Sequence, residues 1–415
     1  MKKAIVIGGG VAGPVAAMAL HQAGIECAVY EAYPHGAADV GAFLTFAVNG
    51  MDALAAIGVN HRVMDIGFPT PRLAFTSGTG KYLGEVALGG TLEDGTVTQT
   101  IKRAALYGAL QNEAEKRGVT VHYGKRLERA EQLPGGGVRV RFTDGTTDEA
   151  DLLIGADGLH SVVRRQIDPN APTPRYVPVL NTGGYAKLAD IDPSVWPNAQ
   201  AVEPGTFHMM FGKRCFFAYS VTADGEVWWF ANPPRKTEPT RADVEAITDA
   251  QWRAEMLELF ADDRTPAIAI IDATKDELRA WATYDLPKVP VWHNDSMIVI
   301  GDAAHATSPA SGQGASMAIE DAVILAKCLR DFPTTPAAFA AYEQLRRTRV
   351  ERIVAAGARS SNSKAAGPIG RVVRDAVMPL FLKKMNKGGD KSAAFMFDHH
   401  IDWNERTTAD LQRSA

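Results

Sequence analysis

The residues best suited to chemistry lie between positions 297 and 325, where an acid and a glycine loop separate an apolar run from a long helical pattern. Met297 to Ile300 predicts a buried strand that stops at Gly301-Asp302. After the loop from Ser308 to Gly314, apolar residues recur at helical spacing. A carboxylate at a strand end accepts hydrogen bonds from a polyol, and glycines at a helix start let a ligand lie against backbone N–H groups. The segment favours an electron-rich ring or an anion as ligand, although a purely structural strand–helix junction can also carry Gly-Asp.

A second candidate site lies at the amino end. Ala4 to Ile7 predicts a strand, and a helical pattern runs on to about Gln22; between them stand Gly8, Gly9, Gly10, Val11, Ala12 and Gly13. In the G-x-G-x-x-G fingerprint, the glycines permit a tight turn, close approach to a pyrophosphate and close helix–strand packing. Glu31 follows the next predicted strand, where the fingerprint expects the acid that binds an adenosine ribose. The pattern predicts dinucleotide binding, against the alternative of glycines that serve packing alone, and does not separate FAD from NAD.

Two further junctions between a predicted strand and a predicted helix carry charges. Arg103 precedes a helical pattern that runs to about Arg117, where its guanidinium could pair with phosphates or lie in solvent. The strand from Leu152 to Ile154 ends in Gly-Ala-Asp157-Gly, and the helix start after it carries Ser161 and Arg164. The order of strand, acid and glycine therefore occurs twice in the chain.

The middle of the chain, from about 176 to 290, predicts strands instead of helices. Segments 206–211, 216–221 and 227–231, separated by turns, predict an antiparallel meander. Alternate side chains on a strand share a face, and we predict one wet, substrate-binding face with Phe43 lining the same cavity from a loop that precedes a short helix. The predicted face comprises His208, Met210, Phe217, Tyr219, Trp228 and Phe230. His208 and Tyr219 are candidates to deprotonate or hydrogen-bond a substrate, with core packing as the alternative for these aromatic and histidine side chains.

The composition excludes several classes of protein. The chain has 415 residues, 46% hydrophobic and 22% charged, and a formal charge of -4, so we expect no nucleic-acid partner. Cys27, Cys215 and Cys328 match no disulfide or metal spacing. No apolar stretch is long enough to span a bilayer, and we expect a cytoplasmic protein with no membrane partner.

The end of the chain predicts a final helix from Val372 to Met385 and a tail with two adjacent histidines. His399 and His400 are candidate metal ligands, but no further ligand has suitable spacing, so no metal site is predicted.

Together these motifs resemble the class A flavin-dependent monooxygenases, the aromatic hydroxylase family typified by p-hydroxybenzoate hydroxylase. Arg103 and the arginines that follow Glu343 match the family as well, and the resemblance covers about residues 1–360. Its specific motifs are Gly8-x-Gly10-x-x-Gly13 with Glu31, Gly-Ala-Asp157-Gly-x-x-Ser-x-Val-Arg, and Gly301-Asp302-Ala-Ala-His-Ala-x-x-Pro309-x-x-Gly312-Gln-Gly314.

The resemblance implies FAD as cofactor and assigns residues to it. Glu31 would bind the adenosine ribose, Arg103 the phosphate and ribose region, and Leu127 the adenine through its backbone. Asp157 would lie near the pyrophosphate and Asp302 beside the ribitol. The isoalloxazine would lie against the loop that contains Pro309, Gly312, Gly314 and Ala315. NADH or NADPH would act as a transient reductant, because no second dinucleotide fingerprint is present.

The expected function is that of an FAD-dependent monooxygenase, in which NAD(P)H reduces FAD, O2 adds at flavin C4a and the hydroperoxide hydroxylates an aromatic or polycyclic substrate. The expected fold is α/β: a Rossmann-like FAD-binding domain (1–70, 100–175 and 285–360), an inserted, mostly antiparallel β-sheet substrate domain (71–99 and 176–284) and a C-terminal helical region (361–415). The chain would be a monomer or homodimer. Two alternatives stay open: a flavin reductase or oxidase that transfers no oxygen, and a non-enzymatic protein on the same fold.

Overall fold

The computed structural model describes residues 2–34, 43–364, 367–388, 394–408 and 411. Strands occur from the amino end of the chain to Val299. They are β1 (Lys3–Ile7), β2 (Glu26–Tyr30), β3 (Phe43–Phe46), β4 (Phe68–Pro69), β5 (Arg72–Ser77), β6 (Tyr82–Ala87), β7 (Gln99–Lys102), β8 (Thr120–His122), β9 (Leu127–Gln132), β10 (Val138–Phe142), β11 (Thr147–Ala150), β12 (Leu152–Gly155), β13 (Arg175–Lys187), β14 (Thr206–Phe211), β15 (Phe216–Val221), β16 (Glu226–Asn232), β17 (Ala280–Asp285) and β18 (Met297–Val299).

Helices alternate with the first strands and dominate the last quarter of the chain. They are α1 (Ala12–Gln22), α2 (Val48–Ala55), α3 (Asn60–Met64), α4 (Arg103–Lys116), α5 (Val162–Ile167), α6 (Arg241–Glu245), α7 (Asp249–Phe260), α8 (Ala267–Ala273), α9 (Asp302–His305), α10 (Gly314–Asp331), α11 (Thr335–Lys364), α12 (Pro368–Gly388) and α13 (Ala394–Phe397).

A five-stranded parallel sheet organises the dinucleotide end of the chain. Its order is β18-β12-β1-β2-β8, and every adjacent pair is parallel. The apolar runs at 4–7, 152–154 and 297–300 are almost fully buried, as expected for strands that are covered on both faces. Because all five strands point the same way, the residues that follow them meet at one edge of the sheet.

The two helices that begin at the predicted glycine loops pack against each other and against this sheet. α1 begins at Ala12 and α10 at Gly314, close to the predicted starts. Val15 and Leu20 of α1 and Met317 and Val323 of α10 are fully buried in one core with the central strands.

A seven-stranded sheet forms the second half of the fold. Its order is β17-β13-β16-β15-β14-β5-β6, and all of its pairs are antiparallel except β14 with β5. The predicted meander is present as β14, β15 and β16. One face of this sheet packs on α7 and α8 through a core that includes Trp252, Met256 and Phe260. The α/β class with a parallel sheet, an antiparallel sheet and a helical carboxyl end is confirmed, whereas the domain boundaries stay a prediction.

Two small sheets complete the strands. β9, β10 and β11 form one antiparallel sheet, and β3, β7 and β4 form another. The prediction of a loop at Phe43 was wrong, because Phe43–Phe46 pairs with β7 more than fifty residues away, and such a distant partner leaves no local signal. Residues 40–42, at the start of that predicted loop, lie outside the described residues.

The carboxyl end forms more helix than expected. α12 begins at Pro368 instead of Val372, because proline is well tolerated at the first helical position, and the short α13 follows it. The tail then returns to the first half of the chain: Asp52 accepts hydrogen bonds from His400 Nδ1 (2.7 Å) and Ile401 N (2.8 Å). Among the described helices, none is both long and apolar enough to cross a bilayer.

Candidate active site

The three predicted motifs meet at the carboxyl edge of the parallel sheet. A Cβ atom on Gly8 would lie 2.3 Å from the carbonyl oxygen of Ala156, and one on Gly301 would lie 3.5 Å from Cβ of Ala12. Arg164 Nη1 donates to the Ala303 carbonyl at 2.9 Å. The first motif therefore contacts both of the others, and the second is hydrogen-bonded to the third.

The turn before α1 has the shape that a pyrophosphate requires. A Cβ on Gly13 would lie 1.8 Å from the Gly8 carbonyl oxygen, so only glycine lets the helix approach the strand this closely. A Cβ on Gly10 would meet open space. Val11 places no side-chain cap on α1, which leaves the N–H groups at Ala12 and beyond available to an anion.

Glu31 is held at the side of this turn. Its buried carboxylate accepts hydrogen bonds from Gly9 N at 2.6 Å and Tyr33 N at 2.8 Å. The backbone N–H of Lys125 donates to the Glu31 carbonyl at 2.8 Å, which brings the strand that begins at Leu127 close to the acid. The sites predicted for ribose and adenine are thus neighbours.

Arg103 is the first residue of α4 and is half-buried. Its Nε donates to the Tyr107 hydroxyl at 2.9 Å, and no ion pair fixes the guanidinium among the described residues. The arginine is therefore neither a solvated surface charge nor a structural ion pair, and it keeps donors for a phosphate.

Asp157 lies at the predicted edge through its backbone, and its carboxylate has structural partners. Its backbone lies against the Gly8 turn, but its carboxylate accepts from the Ser161 hydroxyl (2.5 Å) and from Val162 N and Val163 N (2.7 and 3.1 Å). Burial raises the pKa of this carboxyl against the lowering effect of those donors. The side chain stabilises the start of α5, so only the backbone of Asp157 faces the dinucleotide edge.

The Gly301–Ala315 segment carries an exposed acid beside an open loop. Asp302 is exposed and has no hydrogen-bond partner among the described residues. Gly301 and Gly312 have φ angles of +59° and +62°, which favour glycine. The loop continues through Pro309 to Gly314 and Ala315, at the start of α10.

One buried donor in this loop also lacks a partner. The Gln313 side chain is fully buried, yet its Nε2 makes no hydrogen bond within the described chain. Its Oε1 accepts from Asn49 Nδ2 at 2.9 Å. Buried polar groups are normally satisfied, so an unpaired donor and an exposed acid here fit a polar cofactor with a polyol chain.

A buried ionic cluster behind the loop was missed by the sequence reasoning. Asp321 accepts from Gly301 N at 2.9 Å, from His305 Nε2 at 2.5 Å and from Arg346 Nε at 2.7 Å. Glu320 pairs with Arg346 Nη1 at 2.6 Å and with Arg349 at 2.8 Å. Burial raises the pKa of Asp321, but the charges of His305 and Arg346 lower it further, to about 2. The available signal was two adjacent acids inside an otherwise apolar helical pattern.

The strand residues predicted to share one substrate-binding face lie on two opposite faces of the sheet. His208 pairs with Tyr219, which pairs with Trp229, and Met210 pairs with Phe217, which pairs with Ala231. These residues share a face with Trp229, whereas Trp228 and Phe230 lie on the opposite side of the sheet. The prediction was wrong by one residue on the third strand, and such a register error exchanges the faces.

The face with His208 and Tyr219 is also not the wet one. Phe217 packs against Phe260 at 5.3 Å between ring centroids, and Trp229 Nε1 donates to Thr274 at 2.8 Å. His208 stacks on Tyr219 at 4.6 Å. Burial lowers the pKa of His208 to about 4 and raises the pKa of Tyr219, so neither group suits proton transfer at neutral pH.

The opposite face forms an aromatic chamber, a name we use for Phe43, Tyr185, Phe207, Trp228 and Phe230. The Phe43 ring lies 5.6 to 6.4 Å from the other four ring centroids.

β3 connects this chamber to the glycine loop before α10. Beyond Phe43, the same segment bonds to the start of α10 through Ala47 N, which donates to Ser316 Oγ at 3.2 Å, and through the Asn49–Gln313 pair. One short segment of chain, residues 43–49, therefore contacts both the chamber and the start of α10.

A charged pair at the rim of the chamber was also missed. Lys102 Nζ lies 4.4 Å from the Tyr185 ring centroid and 5.2 Å from that of Trp228. It pairs with Glu226 at 3.1 Å, and Glu226 accepts from Trp228 Nε1 at 2.6 Å. No motif marks this lysine, because its surroundings come from strands far apart in sequence.

Comparison with known proteins identifies this arrangement. The family described as "FAD binding domain" matches residues 1–357. An FAD-dependent urate hydroxylase from Klebsiella pneumoniae is 32% identical over 355 residues, which cover 85% of this chain and 88% of that protein. The chain is a member of the FAD-dependent aromatic monooxygenases. A 6-hydroxynicotinate 3-monooxygenase from Pseudomonas fluorescens is 30% identical over 84% of this chain and 88% of its own length.

This monooxygenase also has the fold of a solved relative. The crystal structure of Klebsiella pneumoniae HpxO complexed with FAD and uric acid has a TM-score of 0.80 and 27% identity, and the match covers 96% of each chain. The expected enzyme class and the cofactor FAD, with NAD(P)H as the reductant typical of the family, are confirmed. The residue assignments for FAD stay a prediction.

Proposed function

We propose that the monooxygenase hydroxylates an electron-rich aromatic ring that binds in the aromatic chamber. The observation that carries this proposal is that residues 43–49 contact both the chamber, through Phe43, and the glycine loop and the start of α10, through Asn49 and Ala47. A cluster of aromatic side chains with few polar groups suits a planar ring, which gains contact area on its faces. The two relatives named above are a urate hydroxylase and a 6-hydroxynicotinate 3-monooxygenase, and both names describe ring compounds with polar substituents.

We assign FAD to the edge where the three motifs meet. The N–H groups at Gly10, Val11, Ala12 and Gly13 would hold the pyrophosphate, with Arg103 as a second phosphate ligand. Glu31 would bind the adenosine ribose and the backbone at Leu127 the adenine. Asp302 would accept from the ribitol, and the isoalloxazine would lie against Pro309, Gly312, Gly314 and Ala315.

The bound flavin supplies the redox and oxygen chemistry, and the protein supplies position and environment. The aromatic side chains exclude water from the chamber, which protects a reactive oxygen donor from side reactions. Lys102 and Glu226 at the rim provide one cation and one anion to orient polar substituents of the ring. His208 and Tyr219 have no role in this scheme, because they lie on the other face of the sheet.

The test combines a substrate screen with oxygen labelling. Purified protein loaded with FAD is supplied with NADH or NADPH and a panel of hydroxylated benzoates, pyridines, purines, indoles and polycyclic phenols. We expect faster NAD(P)H consumption with at least one compound and a product heavier by one oxygen atom derived from ¹⁸O2. Stimulated NAD(P)H consumption without labelled product for every compound would indicate a reductase or oxidase and contradict the proposal.

The FAD assignment has its own test, Asp302→Ala. This exposed residue makes no described contact, so its loss leaves the fold intact while it removes one charge-assisted acceptor, whose contribution is roughly 1.5–3 kcal/mol, or about ten- to a hundredfold in affinity. FAD content after gel filtration and FAD titration of the stripped protein measure the effect. Asp295→Ala, a change in a turn outside the motif edge, serves as the control. Equal FAD affinity in the Asp302 variant and the wild type would refute the assignment.

A further inference from the structure

The last long helix carries an apolar face that no described residue covers. Six large apolar side chains of α12 are between 52% and 83% exposed, at spacings of three and four residues that place them along one side of the helix. In soluble proteins exposed apolar side chains are usually scattered, and a contiguous patch marks an interaction surface. This apolar face of α12 comprises Ile369, Val372, Val373, Val377, Leu380 and Phe381.

These side chains are not exposed because α12 is detached from the rest of the protein. On its other side, Leu382 is only 4% exposed, and a Cβ on Gly84 of β6 would lie 3.0 Å from its Cδ1 atom. The Arg374 guanidinium lies 4.4 Å from the Phe211 ring centroid. Lys81 Nζ donates to the Asp375 carbonyl at 2.9 Å. α12 is therefore docked along the edge strand of the seven-stranded sheet and presents its second side outward.

The charge on α12 differs from that of the whole chain. The helix contains five basic residues and one acid, whereas the chain has a formal charge of -4. The acid, Asp375, is paired with Arg374 at 2.9 Å and is not exposed. Lys383 and Lys384 are exposed at the carboxyl end of the apolar face and have no ion-pair partner among the described side chains. The outward side is thus apolar and cationic.

We propose that the apolar face of α12 docks on the surface of an anionic lipid bilayer. A helix with large apolar residues on one face and lysines beside them lies in the interface plane, with its apolar side about 5–10 Å into the headgroup region. Lysines near the surface strengthen the binding through attraction to anionic lipids. The absence of a spanning segment led us to expect no membrane partner, and peripheral docking needs no such segment.

A second copy of the chain fits this face less well. Two-fold pairing of α12 with itself would bury the apolar side chains but would bring Lys383 and Lys384 of both copies onto one interface. The exposed side of the described helix offers no acid to meet them. Burying charges without partners destabilises an interface, so charge complementarity favours an anionic surface over self-association.

The proposal is independent of the catalytic assignment and is tested without turnover. FAD-loaded wild type is mixed with vesicles of phosphatidylcholine alone, or with roughly 30% phosphatidylglycerol to supply the anionic charge, and bound protein is recovered by flotation. Two variants remove the two features separately: Leu380→Gln with Phe381→Gln, and Lys383→Glu with Lys384→Glu. Val195→Gln, at a side chain 58% exposed outside α12, is the matched control.

We expect wild type and the Val195 variant to float with the anionic vesicles, and recovery to fall as salt rises, because salt screens the lysines. Each double variant should lose about tenfold or more in partitioning, while FAD content and circular dichroism stay unchanged. No flotation of the wild type with anionic vesicles, or equal flotation with both vesicle types, would overturn the proposal. So would light scattering that shows a dimer which the Leu380 and Phe381 changes convert to monomer.

Discussion

Asp321→Asn tests whether the buried cluster behind the glycine loop holds that loop in place. Asp321 joins three groups: the backbone N–H of Gly301, His305 and Arg346. Asparagine has nearly the same size, so the change removes charge and one acceptor without creating a cavity. The carboxyl is fully buried, and screening by solvent does not reduce its interactions.

The size of the expected loss in unfolding free energy follows from two arguments. Lowering the pKa of Asp321 from 3.8 to about 2 corresponds to about 2 kcal/mol of preference for the folded state. Breaking a buried ion pair by removing one partner costs roughly 3–5 kcal/mol, and Glu320 offsets part of this because it still pairs with Arg346. We therefore expect Asp321→Asn to lower the free energy of unfolding by about 3 kcal/mol.

The direction in which the stability contribution of Asp321 changes with pH follows from its depressed pKa. Because the folded-state pKa of Asp321 is depressed, its contribution is fully present above the unfolded value of 3.8 and is lost as the pH falls towards about 2. The stability difference between wild type and variant should shrink as the pH falls below about 4.

The assay is urea unfolding of the FAD-free protein followed by circular dichroism, with FAD titration as a second readout. Asp262→Asn, at an exposed acid that pairs with Arg214 at 2.7 Å, is the control and should cost about 1 kcal/mol or less. FAD affinity should fall in Asp321→Asn, because the Gly301 N–H that precedes Asp302 loses its acceptor. An unfolding free energy within about 0.5 kcal/mol of the wild type would refute the assigned charge pairing, since buried pairs do not break at so small a cost.

Three further results are expected. Gly13→Ala should lower the thermal unfolding temperature of the FAD-free protein, because its Cβ would lie 1.8 Å from the Gly8 carbonyl oxygen. Gly10→Ala, whose Cβ would meet open space, should leave that temperature unchanged and weaken only FAD binding in a titration. His208 has a pKa of about 4 in the folded protein and 6.5 in the unfolded chain. The unfolded chain therefore binds more protons between these pH values, and the free energy of unfolding falls as the pH is lowered from 6.5 to 4. His208→Phe should lessen this fall, as measured by the urea midpoints at pH 7.5 and 5, without changing kcat. Lys102→Met should raise KM by roughly tenfold for a substrate with an anionic group, through loss of its cationic partner, and leave FAD content unchanged; an unchanged KM would remove Lys102 from the substrate site.

The cofactor edge was predictable from local sequence for a topological reason. Each motif is a strand followed at once by glycine or acid, and all strands of a parallel sheet end at the same edge. Gly8, Glu31, Asp157 and Asp302 therefore come together whatever the order of their strands. The use of the Asp157 carboxylate escaped prediction, because Ser161 and two backbone N–H groups compete for it.

The substrate face was not predictable in the same way. In an antiparallel meander the face of each side chain depends on the pairing register, and the register depends on the number of residues in each turn. The turn between β14 and β15 was read correctly, which placed His208 with Tyr219, and the turn before β16 was misjudged by one residue. Phe43 reaches the face with Trp228 and Phe230 from β3, whose pairing with β7 spans more than fifty residues.

The same pairing explains how one fold joins two chemical environments. β3 places Phe43 among the rings of the aromatic chamber, and α2, directly after it, places Asn49 in the buried polar cluster, where its Nδ2 donates to Gln313 and to Glu320 at 2.9 and 2.6 Å. The apolar chamber and the polar loop are therefore fixed to each other through one short segment. A shift of β3 by one residue would move Phe43 out of the chamber and break both Asn49 contacts. The relative position of the ring substrate and the cofactor thus depends on a strand that no motif marks. For this reason the cofactor can be predicted from the sequence and the substrate cannot.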